Sequence, residues 1–154
     1  MTTLSAGAQL PAVEFTDDAG ARVTHAELGR GRFVLFFYPK DDTPGCTREA
    51  CAFSDQLVDF AALGVGVYGV SADGEESHRA FRARHGLTVR LLSDPTHVAC
   101  EAFGVWGTQR YGAHVYEGIA RTTFVLRDGV VDRVFGEVEV DGHVALLLAY
   151  LRAG

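Results

Sequence analysis

The chain has 154 residues and a net charge of −6, from 14 basic against 20 acidic side chains; with no basic cluster visible, it lacks the concentrated positive surface that nucleic-acid phosphates demand. Its three cysteines, Cys46, Cys51 and Cys100, are too few and too odd in number for a secreted disulfide framework, which points to a reducing compartment and a cytoplasmic protein. The opening MTTLSAGAQLP has neither a basic nor an apolar signal region, and the longest apolar runs, FVLFFY and VALLLAYL, fall far short of the ~20 residues of a membrane span.

In chain order, residues 1–32 mix Gly, Ala and polar residues around short alternating pieces such as AVEFTD, the pattern of an N-terminal hairpin or edge strands. Phe33 to Tyr38 is a continuous apolar run between Gly31 and Pro39, expected as a central strand covered on both faces. From Cys46 onward Ala50, Phe53, Leu57 and Phe60 or Ala61 recur at helical spacing until Gly64, predicting one amphipathic helix. Val65 to Ser71 reads as a second buried strand, Glu75 to His85 as a helix ended by Gly86, and Thr88 to Leu92 as a third strand. Asp94 before Pro95 predicts an N-cap and a short helix over 95–103, closed by Gly104 and followed by a Gly-rich stretch. Arg121 to Leu126 and Val130 to Phe135 flank Asp128-Gly129, a hairpin signal. Asp141 is then expected to cap a last helix with Val144, Leu147, Leu148 and Leu151 on its apolar face. The sum is an α/β chain forming one domain over 1–154, a mixed central sheet with helices on both faces and an N-terminal hairpin. A chain of this length buries about two thirds of its unfolded surface, so neither a metal nor a disulfide is required to fold it.

Three readings of Cys46 compete: a packing cysteine, a metal ligand paired with Cys51, and a reactive nucleophile. Residue type favours packing, since free cysteine is among the most buried residues. Position favours reactivity, because Cys46 follows the polar turn Asp41-Asp42-Thr43-Pro44-Gly45 at the start of a helix. Unpaired N–H groups and the positive end of the helix dipole there favour a thiolate. A zinc site would need four ligands at tight spacings, and no His or Cys pair offers a half-site. Cys51, five residues on, would sit ~7.5 Å further along an intact helix and turned by ~140°. A bond between the two sulfurs would therefore require unwinding of the first turns. Cys100 lies among Val98, Ala99, Ala102 and Phe103 and is read as structural. None of the six histidines, His25, His78, His85, His97, His114 and His143, has a spacing that assigns it a catalytic role.

Pro39, Thr43 and Cys46 in PKDDTPGC, followed by TREAC, resemble the active-site signature of peroxiredoxins, most nearly the bacterioferritin comigratory protein group, also called peroxiredoxin Q. LLSDPTHVACEAFGVWG, YGAHVYEGIARTTFVLRDG and VDGHVALLLAYL are similar to that group too, extending the likeness from roughly residue 4 to residue 151. The resemblance implies a thioredoxin-like fold and reduction of hydrogen peroxide and organic hydroperoxides, with Cys46 as peroxidatic nucleophile and Cys51 as resolving cysteine. It implies that Thr43 hydrogen-bonds the reacting peroxide, that Pro39 shields the pocket, that Arg121 holds the thiolate and polarises the peroxide, and that Glu49 orients Arg121. Without it Thr43 is an ordinary turn or capping hydroxyl, Pro39 ends a strand, Arg121 is a surface residue and Glu49 favours the helix dipole. Trp106, Tyr111 and Tyr116 are candidates for the pocket rim, with aromatic packing the plainer explanation.

The cycle it implies runs from a Cys46 sulfenic acid, through loosening of the helix, to a Cys46–Cys51 disulfide that an external dithiol, thioredoxin or similar, reduces. Other members of the group carry the second thiol on the next helix, but Glu75 to His85 contains no cysteine. No cofactor or metal is called for, and a monomer is expected. The rival reading is a thioredoxin-fold redox sensor or binding protein with incidental peroxide turnover. A thiol-disulfide oxidoreductase is weakened by the absence of C-x-x-C.

Overall fold

A computed structural model describes residues 2–154. Strands β1 (Glu14–Asp17) and β2 (Arg22–Thr24) form the expected N-terminal hairpin. They are followed by a single helical turn, α1 (His25–Leu28), which the sequence reading did not anticipate. Its signal was Thr24, whose hydroxyl accepts from the Glu27 N–H as an N-cap. The apolar run forms β3 (Arg32–Phe37), and β4 (Val65–Ser71) and β5 (Arg90–Ser93) extend the sheet in parallel from it. On its other side β3 pairs antiparallel with β8 (Thr122–Arg127), which turns through Asp128 and Gly129, both at positive φ, into β9 (Val130–Phe135). The resulting seven-stranded mixed sheet has the order β2-β1-β5-β4-β3-β8-β9, and β3 is interior to it.

Alternation along β3 divides the core. Val34 and Phe36 face one layer, built from α2 (Pro44–Asp55), α3 (Leu57–Ala62), α4 (Glu75–His85) and α6 (His143–Ala153). Leu35 and Phe37 face the other, which holds α1 and α5 (Val98–Ala102). A second, two-stranded sheet, β6 (Trp106–Tyr111) with β7 (His114–Ile119), occupies the stretch that read only as Gly-rich.

Three local expectations are corrected. The helix after Cys46 is two helices, broken at Gln56. At the break Ser54 is bonded sideways, its hydroxyl accepting from the Thr88 and Val89 N–H groups and its carbonyl from the Thr88 hydroxyl. Asp94 is not the N-cap of α5. His97, at φ 64°, holds that position, and Asp94 reaches past it to accept from the Ala99 and Cys100 N–H groups, leaving Pro95 in a turn. Gly142, at φ 84°, caps α6, while Asp141 pairs with Arg48 at 3.5 Å. Among the described residues no helix is long and apolar enough to cross a membrane.

Candidate active site

The β3 strand delivers Tyr38 and Pro39 to the edge of the sheet, and the chain turns through Lys40 to Thr43 into α2. Thr43 is the N-cap residue and Pro44 takes the first helical position, which needs no N–H partner, so Cys46 becomes the third residue of the helix. Thr43 makes no side-chain cap bond, because its hydroxyl donates to the Lys40 carbonyl at 2.9 Å. The N–H groups of the first turn are therefore left uncapped beside the sulfur.

Cys46 is 1% exposed and packs with Tyr38, Ala50 and Phe53 in the helical layer. Its place after a polar turn gave no sign of that burial, which follows from the helix face it shares with Ala50 and Phe53. Arg121, in the residue before β8, reaches across and donates Nη2 to Cys46 Sγ at 3.3 Å. The same guanidinium donates Nη1 to Glu49 Oε1 at 2.6 Å. Glu49 is as buried as Cys46, and its Oε2 has no partner. Burial pushes the Glu49 carboxyl up to about 7, against the opposing pull of Arg121. Burial also opposes the charge on Arg121, but the negative charges of Glu49 and Cys46 overcome it and hold its pKa above the ordinary arginine value.

The structure thus brings Cys46, Arg121 and Glu49 together, with Thr43 at the start of the same helix and Pro39 half-buried at the end of the strand before it. Cys51 is half-buried further along α2 and unbonded. Burial, then Asp55, raise its thiol pKa. Cys100 lies on the opposite face of the sheet, fully buried on α5, where burial and a hydrogen bond from its thiol to the Asp94 carboxylate push its pKa well up. Trp106 stacks on His97 and Tyr116 on His114, while Tyr111 is exposed. A cleft of about 430 Å³ between the end of α2 and α6 has Ala52, Asp55, Val144 and Leu148 among its walls and contains none of the candidate residues.

One constellation escaped the sequence reading. Asp41, on the loop before Cys46, accepts from Tyr38 at 2.6 Å, from Ser77 at 2.8 Å and from the His78 Nδ1 at 2.7 Å, and its own N–H donates to Asp73 at 2.8 Å. The other His78 nitrogen faces the Leu92 carbonyl at 3.0 Å. Next along, Asp42 is held at φ 61° by Arg84 at 3.0 Å and His85 at 2.7 Å. Helix α4 therefore clamps the loop that carries Thr43. The only sequence signal was a pair of aspartates whose partners lie some 40 residues downstream.

A cation paired with a buried sulfur at a helix start is a thiol-chemistry site, and known proteins agree. The profile of the AhpC/TSA family matches residues 6–134. The peroxiredoxin Bcp of Bacillus subtilis is 39% identical over 97% of this chain and 96% of its own, and that of Escherichia coli is 35% identical over 99% and 98%. Among solved structures, peroxiredoxin Q of Xylella fastidiosa superposes with a TM-score of 0.91 at 30% identity, covering 99% of this chain and 98% of that one. Peroxiredoxin Q of Xanthomonas campestris gives 0.87 at 36%, covering 96% and 97%. The fold is the thioredoxin-like fold of these peroxiredoxins, and the chain belongs to the AhpC/TSA family as a thiol-dependent peroxidase of its Bcp, or peroxiredoxin Q, group.

Proposed function

We propose that Cys46 is the sulfur that attacks the hydroperoxide, that Cys51 resolves the product as an intramolecular disulfide, and that thioredoxin or a similar dithiol returns both to thiols. The observation that carries this reading is the Arg121 Nη2 contact to Cys46 Sγ at 3.3 Å. A fixed guanidinium favours the attacking thiolate and stabilises the charge that moves onto the leaving oxygen as the O–O bond breaks.

Thr43 has committed its proton to the Lys40 carbonyl, so its free lone pairs accept from the O–H of the peroxide. The uncapped N–H groups of the first α2 turn supply further donors to the same oxygens. Pro39 brings no N–H and serves as a wall. Attack leaves Cys46 as a sulfenic acid, which condenses with Cys51 and releases water. Cys100 lies in the core on the other face of the sheet, which supports Cys51 rather than Cys100 as the resolving thiol.

A bacterioferritin comigratory protein of Xanthomonas campestris has alkyl peroxide reduction activity, and this chain, 35% identical to it, is proposed to accept alkyl hydroperoxides as well as hydrogen peroxide. The reading takes the chain as one domain, supported by two cores laid on the two faces of one sheet. It places that domain in the cytoplasm as a monomer, in keeping with three unbonded cysteines.

The test is peroxide-dependent oxidation of thioredoxin by the wild-type protein and by Cys46→Ser. The variant should be inactive; turnover at the parental rate would refute the assignment.

A further inference from the structure

Glu49 follows Cys46 by three residues on α2, a spacing that sets both on one face of the helix. Each is 1% exposed, and the two arms of a single guanidinium serve them, Nη1 to Glu49 and Nη2 to Cys46. One cation thus faces two groups that can each become an anion. Two buried anions against one cation leave a net negative charge out of water, which costs several kcal/mol. Glu49 Oε2 accepts from nothing, an arrangement that penalises a full carboxylate. Burial also pushes this carboxyl up to about 7. Among the described residues no second cation is seen to relieve the pair. His143, the titratable neighbour on α6, is held down at about 4 by burial and by Arg121 and is neutral at neutral pH, while Arg48 pairs outward with Asp141.

We propose that Glu49 and Cys46 share one proton, which Glu49 holds while Cys46 is a thiolate and gives up when the sulfur is oxidised. The inference rests on Cys46 as the attacking sulfur. The thiolate forms an S–O bond as the O–O bond breaks, the sulfur gives two electrons to the peroxide, and the departing oxygen takes a proton. The proton lost by Glu49 balances that uptake by way of solvent, and Arg121 passes from the sulfur to the new carboxylate. Condensation with the Cys51 thiol then yields the disulfide and water, with no further proton needed. Glu49 touches no reacting atom and is a positioning residue for charge.

The experiment counts protons. Reduced wild-type protein and Glu49→Gln each receive one equivalent of hydrogen peroxide in weakly buffered solution with a pH-indicating dye, and disulfide is quantified by intact mass. Wild type should take up close to no protons per disulfide, and Glu49→Gln about one, because glutamine has no proton to release. Equal uptake in the two proteins, at either value, overturns the proposal. A missing Cys46–Cys51 disulfide in wild type instead overturns the proposed function on which it rests. Infrared difference spectra of wild type alone give an independent readout should the variant misfold. The carbonyl band of a protonated carboxyl should be present in the reduced protein and disappear on disulfide formation, and its absence from the reduced protein refutes the idea.

Discussion

Cys46 and Cys51 lie five residues apart on one unbroken stretch of α2, with both thiols free. Helix geometry holds their α-carbons roughly 8 to 9 Å apart, beyond the ~7 Å that a disulfide tolerates. Joining them therefore means unwinding the start of α2, and that start is weakly built. Gly45 lies in the first turn, no side chain caps it, and no acidic residue complements its dipole. Immediately upstream, Asp41 and Asp42 are tied to α4. The boundary between held loop and releasable helix falls at Thr43.

Cys51→Ser should still consume one equivalent of peroxide but stop with Cys46 as a sulfenic acid or mixed disulfide, turning over only with a small thiol. Intact-mass analysis after one equivalent checks this. A normal intramolecular bond to Cys100 would move the resolving role there.

Arg121→Gln removes the only charged donor seen at Cys46 Sγ among the described residues. Loss of one preorganised donor to a developing anion typically costs a hundredfold to a thousandfold, so kcat/KM for peroxide should fall by about that factor. Arg121→Lys should rescue little, because an ammonium cannot span Cys46 and Glu49 as the planar guanidinium does. Stopped-flow oxidation kinetics would measure both variants.

His78→Leu should destabilise the fold by about 1 to 3 kcal/mol, since it removes one of the three buried side-chain donors to Asp41 and leaves only the Tyr38 and Ser77 hydroxyls. Asp42→Asn breaks partly exposed pairs and should change stability by under about 1 kcal/mol. Urea unfolding separates the two. Near-equal losses would mean that α4 does not clamp the loop through Asp41.

Stability should depend on pH through two buried groups of opposite sign. His143 is held at about 4, below its ordinary 6.5, by burial first and Arg121 second. Its contribution is intact above pH 6.5 and is lost as pH falls toward 4, by about 2 kcal/mol after allowance for solvent screening. Glu49, raised from 4.5 to about 7, contributes fully below pH 4.5 and loses that contribution as pH rises toward 7. Urea unfolding across this range should show a shallower acid loss in His143→Gln than in wild type, and a steeper one in Glu49→Gln.

What the sequence disclosed follows from how local each signal is. The run Phe33 to Phe37 could only be an interior strand, and the Asp128-Gly129 turn fixed the last hairpin. Cys46 stood out locally, at a helix start after a polar turn, whereas Thr43 and Pro39, within eight residues of it, took their proposed roles from the resemblance. Arg121, 75 residues from the sulfur it touches, had no local signal and came only from the resemblance. The β6–β7 ribbon was missed because it faces solvent along much of its length, so its residues carry little apolar alternation to read. The Asp41–His78 pair was missed because it forms only where the ends of β3 and β4 lie side by side in the parallel sheet, bringing the loop after one against the helix after the other.

The central claim is tested most directly by a non-reducing tryptic map of wild-type protein after one equivalent of hydrogen peroxide. Trypsin cuts after Lys40, Arg48 and Arg79, so Cys46 and Cys51 fall in separate peptides, 41–48 and 49–79, and Cys100 in a third, 91–110. The account predicts that 41–48 and 49–79 are recovered joined by a disulfide, with 91–110 unmodified. Recovery of 41–48 with its thiol intact while the peroxide has been consumed would contradict it.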